Sequence, residues 1–194
     1  MVQLPPVQRP IGVFDDFIAK NTETLVIKEK FWSLSGDSFD IKLANGTSIF
    51  KVHGKHLTIG GRKTVSDMSG RHLFDIVKEH LHVHETYVIE DPQGKKILEI
   101  KNALFKLLGS KATAEFTSRN GETETLTMSG NWIDTSADIV CKSTGATAAR
   151  IDRKLLNARE LFGSQQTYAL VVAPGVDMAL MAAMCIALDE KNND

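Results

Sequence analysis

Apolar and polar residues alternate along most of this chain, and five times the alternation runs into a glycine-bearing turn and out again. The stretches are FDIKLANGTSIFKV, KTVSDMSGRHLFDIV, TYVIEDPQGKKILEI, TAEFTSRNGETETL and ADIVCKSTGATAARI. A period of two places successive side chains on opposite faces of a strand, so each stretch reads as a β-hairpin with one face turned to a core. The turn glycines Gly46, Gly70, Gly94, Gly121 and Gly145 stand 24, 24, 27 and 24 residues apart, regular enough to count as structural repetition. Glycine supplies the positive φ of a tight turn, and Asn45, Asp91 and Asn120 supply the accompanying side-chain chemistry. Five hairpins give ten strands, and ETLVIKEKFW before them and QQTYALVVAP after them add one each, twelve in all. HLFDIVKEHL and NALFKLLG also carry partial helical spacing; both are read as strand, with kinks.

The pattern changes at the end of the chain, where no polar side chain occurs from Met178 to Leu188. A helix that is apolar all round has no wet face, so it belongs inside a protein or in a bilayer. Val176 to Leu188 would reach about 20 Å at roughly 1.5 Å per residue, against a hydrocarbon core about 30 Å thick, which favours the protein interior. Pro174 and Gly175 break the preceding strand, Asp177 stands at the helix start, and Asp189 and Glu190 end the apolar run. The two readings fit together. Twelve strands in a flat sheet would leave long open edges, closure into a barrel removes them, and a barrel that wide needs something inside. Ala179, Ala182, Ala183 and Ala187 keep the helix slim, and Met178, Met181 and Met184 can fill irregular gaps. The expected architecture is mainly β: a twelve-stranded closed antiparallel barrel around a buried C-terminal helix. It is preceded by an extended, proline-containing arm over residues 1–11, spans 12–190 as one domain, and ends in a polar tail over 191–194.

Bulk composition narrows the function classes. A chain of 194 residues, 42% hydrophobic and 24% charged, can bury one substantial core. A formal net charge of -1 gives no global attraction to nucleic acid, so direct nucleic-acid binding is not expected. MVQLPPVQRPIGVFDD has neither a charged region followed by an apolar core nor a glycine after Met1, so signals for secretion and N-myristoylation are lacking. Cys141 and Cys185 match no metal-ligand spacing; reduced cytosolic thiols are the simpler reading, with a disulfide between them the alternative.

The C-terminal stretch LFGSQQTYALVVAPGVDMALMAAMCIALDE closely resembles the signature of plant LURP-one-related proteins, and repeated hairpins such as EDPQGKKILEI fit the same family. The resemblance runs from about Gly12 to Glu190. It implies a tubby-like fold, a twelve-stranded barrel around a hydrophobic C-terminal helix, shared with tubby C-terminal domains and phospholipid scramblases. It also implies two kinds of membrane chemistry. Tubby relatives bind phosphoinositides and can act as membrane-tethered transcription regulators, while scramblases work at membranes and bind calcium. No lipid-binding or calcium-binding residue of those relatives maps onto a position here.

Local chemistry is sparse. His80, His82 and His84 fall on one face of a strand, yet residues so placed lie too far apart for all three to reach one metal ion easily; His53 and His56 read as solvated. Residues 60–64, GGRKT, miss the phosphate-loop spacing because Arg62 separates Gly61 from Lys63, and they read as a basic turn. No nucleophile elbow, H-E-x-x-H or dinucleotide fingerprint occurs, so no enzyme, cofactor or metal is expected. Positive charge is more suggestive. Lys51, Lys55, Arg62 and Lys63 gather near the first two hairpins, and Lys95, Lys96, Lys101, Lys106 and Lys111 near the third. Cations near a bilayer attract anionic lipid at about 1 kcal/mol each. Arg62, Lys63, Lys106 and Lys111 are therefore the candidate ligands of an anionic lipid such as a phosphoinositide. The expectation is a non-enzymatic cytoplasmic module, peripheral at a membrane or nuclear in some states, binding such a lipid or a protein partner in regulation or stress and defence signalling. The competing classes are a scramblase-like membrane protein and an enzyme with an unrecognised pocket.

Overall fold

The computed structural model describes residues 2–28, 38–54, 62–79, 86–102, 110–118, 121–131, 136–152 and 167–191. Twelve strands follow one another in the chain: β1 (Glu23–Lys28), β2 (Ser38–Leu43), β3 (Ser48–Gly54), β4 (Lys63–Asp67), β5 (His72–Glu79), β6 (Thr86–Glu90), β7 (Lys96–Asn102), β8 (Ser110–Thr117), β9 (Thr123–Asn131), β10 (Ser136–Cys141), β11 (Thr147–Asp152) and β12 (Thr167–Val172). Each pairs antiparallel with its neighbours in sequence, and β1 pairs with β12 to close the barrel. The stretch HLFDIVKEHL is strand where described, as β5. Residues 103–109 of NALFKLLG, and His56, His80, His82 and His84, lie outside the described residues.

All five expected hairpins form at one end of the barrel, and their glycines sit at φ between 71° and 89°. Four of the five carry a register shift beside the turn, at Ile41/Lys42, Val65/Ser66, Ile89/Glu90 and Ile139/Val140. A bulge next to a left-handed glycine lets a short loop follow the right-handed twist of its strands. Lys63 and Thr64, read both as the start of the second hairpin and as the end of a basic turn, open β4, because the alternation of Lys63 and Val65 with Thr64 and Ser66 lets the stretch pair with β3 and β5.

The inward parity of the strands, including Leu25, Ile41, Phe50, Phe74, Ile89 and Leu126, is fully buried. The barrel is filled by α1 (Met178–Lys191), in which every residue from Ala179 to Ala187 is at most 1% exposed. The helix continues three residues past the apolar run, through Asp189 and Glu190 to Lys191. At 14 residues it is about 21 Å long. No helix among the described residues is long and apolar enough to cross a membrane.

The N-terminal segment is bound to the barrel as a strap across the turn end. The Val7 and Ile11 N–H groups donate to the Pro174 and Gly175 carbonyls at 3.0 Å, and Ala19 N–H donates to Val176 O at 2.9 Å. In return, Gly175 N–H donates to Ala19 O and Asp177 N–H to Ile11 O. Leu4, Ile11 and Ala19 join the core. Both flanks of the strand-to-helix connection are thus satisfied by one short stretch of chain, which answers where the backbone hydrogen bonds of an irregular buried segment go.

Candidate functional site at the turn end of the barrel

Three polar clusters tie the strap and the hairpins together. The first is Asp177, fully buried at the start of α1. Its Oδ1 accepts from the Ala179 and Leu180 N–H groups at 2.9 and 3.1 Å, and its Oδ2 from those of Val13 and Phe14 at 3.0 and 2.7 Å. It therefore caps the helix and holds the strap with one carboxyl group. Burial pushes that carboxyl above its ordinary value, opposed by the N–H groups of Phe14, Val13, Leu180 and Ala179. Gly12 is required alongside, since a Cβ there would stand 2.2 Å from the Asp177 Cβ.

In the second cluster Arg9 reaches from the strap to the β8–β9 and β10–β11 turns. It pairs with exposed Glu122 at 2.7 Å and with Glu124, which is only 4% exposed on the inward face of β9. Ser143 Oγ donates to Glu124 Oε2 at 2.8 Å and accepts from Arg9 Nη2 at 3.0 Å, with the buried Cys141 thiol 3.1 Å from the same hydroxyl. The third lies at the β4–β5 turn. Asp67 accepts the Ser69 hydroxyl and N–H and the Arg71 N–H and Nε–H, at 2.6 to 3.0 Å. The Ser69 hydroxyl, followed by the Arg71 donors, outweighs partial burial and lowers the Asp67 carboxyl to about 2. Arg71 also bonds Asp16 at 2.8 Å and lies 5.9 Å from the centre of the Phe17 ring. Phe17 packs edge-on against Phe50, and Phe14 against Phe74.

Between the strap and the start of β5 these residues leave a groove of about 330 Å³. It is lined by Val13, Phe14, Phe17 and Leu73 together with Asp15, Asp16, Arg71 and His72. Below it, on the outer wall, His72 Nε2 lies 3.1 Å from Asp75 Oδ1. Asp75, 6% exposed, also accepts from Thr64 Oγ1 at 2.6 Å and from Arg62 Nη1 at 2.7 Å. Burial raises the Asp75 carboxyl, but the Thr64 and Arg62 hydrogen bonds and the charges of His72 and Arg62 hold it below its ordinary value.

Of the sequence-selected cations, Arg62 and Lys63 are described, and they face opposite sides of the barrel wall. Arg62 lies on the outer wall and bonds both Asp75 and Glu90, the latter at 2.8 Å. Lys63 takes the inward parity with Val65 and is 2% exposed. Lys111 belongs to β8, with its side chain outside the described residues, and Lys106 lies outside them altogether. His53 is exposed. Sequence reasoning missed Arg9, Glu124, Asp75 and Asp177's second role. For Glu124 a signal existed: it shares the parity of Leu126 and Met128, and an inward carboxylate requires a partner.

The sequence profile of LURP-one-related proteins matches residues 23–189. "Protein LURP-one-related 15" of Arabidopsis thaliana is 22% identical over 176 residues, 88% of this chain and 80% of the relative. "Protein LURP1" of the same plant is 22% identical over 191 residues, 95% and 91% of the two chains. A crystal structure of an Arabidopsis thaliana protein covers 94% of this chain and 99% of its own, at 15% identity and a TM-score of 0.44, a likeness too distant to carry weight.

Proposed function

The chain belongs to the LURP-one-related family, and on that premise we propose that it is a non-enzymatic binding module that engages a protein partner from the outside of a filled barrel, in regulation or stress and defence signalling. The observation that carries this reading is the occupancy of the barrel by α1, whose residues 179–187 are all at most 1% exposed. Wide barrels of other kinds hold ligands in their interior; here that space is taken by the chain itself, and recognition falls to the outer wall and the turn end.

Charge favours protein over lipid as the ligand class. Arg9, Arg62, Arg71, Lys96, Lys101 and Arg150 each face carboxylates of the same chain. A phosphoinositide headgroup approaching Arg62 would compete with Asp75 and Glu90 for the guanidinium, which lowers the gain from each cation. Co-sedimentation with neutral and phosphoinositide-containing liposomes tests the choice. Equal sedimentation with both is expected. A phosphoinositide-dependent excess that disappears in high salt and in Arg62→Ala would replace the protein partner with an anionic lipid.

A further inference from the structure

We propose that Met68, in the β4–β5 turn, is an oxidation site at which a hydroperoxide converts the thioether to the sulfoxide on the folded protein, turning an apolar spot at the turn end polar while the barrel stays intact. This goes beyond the binding-module reading and does not depend on it.

Access selects this sulfur. Met68 is 48% exposed and is the one exposed large hydrophobic side chain among the described residues. The other described methionines are packed away: Met128, Met181 and Met184 are at most 1% exposed, and Met178 is partly buried against the core. Cys141 and Cys185, whose thiolates would otherwise compete for an oxidant, are free thiols and fully buried. A thioether has no proton to lose, so access rather than a neighbouring charge decides its reactivity. In the step itself the sulfur lone pair attacks the terminal oxygen of the hydroperoxide, and the O–O bond breaks as the S–O bond forms. The proton of the attacked oxygen passes to the leaving oxygen, which departs as water or an alcohol. Sulfur is oxidised, the peroxide is reduced, and the product is a polar sulfoxide that accepts hydrogen bonds.

The turn around Met68 is held by other groups. Gly70 N–H donates to Asp67 O at 3.1 Å and Asp67 N–H to Arg71 O at 3.0 Å. The Asp67 carboxylate accepts the Ser69 N–H and hydroxyl and the Arg71 N–H. The Met68 side chain takes part in none of these bonds, so the added oxygen meets water and leaves the turn as it is. The buried methionines differ. Met128 on β9 and Met181 and Met184 in α1 belong to the core, where a sulfoxide would place a polar oxygen out of reach of water. Among the described residues, Met68 is thus the methionine that is both open to the oxidant and oxidised without cost to the fold.

The test is a hydrogen peroxide titration of the folded full chain, read by peptide mapping in a mass spectrometer. The peptide bearing Met68 should gain one oxygen at least about tenfold faster than those bearing Met128, Met181 and Met184, which react only from opened states. Iodoacetamide added afterwards in urea should still label Cys141 and Cys185. Protein oxidised at Met68 should keep the thermal midpoint of the untreated chain, with amide shifts confined to residues 66–72. It should also elute earlier from a hydrophobic-interaction column, and Met68→Leu, treated in the same way, should not change its elution. Oxidation of a buried methionine at an equal or greater rate, prior loss of a thiol, or a lowered midpoint once Met68 alone is oxidised would overturn the proposal. The same elution change in Met68→Leu would overturn it too.

Discussion

Asp177 Oδ2 accepts the backbone N–H of Phe14 at 2.7 Å, so the helix that fills the barrel and the strap that crosses its turn end share one carboxyl group. Removing that group strands four N–H donors, two in the strap and two in the helix. Asp177→Ala is expected to cost about 2–5 kcal/mol, and Asp177→Asn less, since the amide keeps one acceptor oxygen. Urea denaturation of the two variants measures the difference; equal, near-zero losses would show that the strap is not held this way.

Gly12→Ala addresses the same junction from the other side. Its Cβ would meet the Asp177 Cβ at 2.2 Å, a collision that only a backbone shift relieves. A loss of about 1–3 kcal/mol is expected, the range for added volume in a packed region. Thermal denaturation would expose the error if the variant melted with the parent protein.

Arg9 stands over a carboxylate that is almost out of solvent. Arg9→Ala leaves Glu124 buried without its cation and should destabilise the fold by about 1–3 kcal/mol. Adding Glu124→Gln should recover part of that loss, because the buried group is then neutral. A double variant no more stable than Arg9→Ala would mean that Arg9 acts only through Glu122.

Stability should fall in acid partly through Asp67. Its carboxyl is lowered from 3.8 to about 2 in the fold by the Ser69 hydroxyl and then the Arg71 donors, so between those values the unfolded chain binds more protons than the folded one. Linkage then makes Asp67's contribution full above the higher value, declining as pH falls through the window from about 4 to about 2. Asp67→Asn should flatten that part of the pH profile in chemical denaturation; an unchanged slope would assign the acid sensitivity elsewhere.

The barrel and its helix were legible because both are written as periodicities. Alternation around Gly46, Gly70, Gly94, Gly121 and Gly145 marks the hairpins, and the uninterrupted apolar run marks a helix with no wet face. Asp177 was legible as a helix start but not as an anchor for the strap, because Val13 and Phe14 precede it by more than 160 residues and use only backbone groups. Arg9 and Glu122, 113 positions apart, meet only because the barrel brings their ends together. The facing of Arg62 and Lys63 was not legible, for a local reason. Arg62 and Lys63 are adjacent in sequence, yet β4 turns Lys63 inward while Arg62 bonds Asp75 and Glu90 on the outside.

The interior of the barrel sets the last expectation. Ala183 is fully buried, so Ala183→Leu should cost about 1–3 kcal/mol through overpacking, and Ala183→Lys should prevent folding by placing a charge in the core.

Hydrogen exchange of the α1 amides, measured with and without anionic liposomes, tests most directly whether this helix is the permanent filling of the barrel. Amides of residues 181–187 are expected to exchange only on global unfolding, at the same rate in both conditions. Rapid exchange of those amides in the free protein, with protection appearing only when liposomes are added, would contradict it.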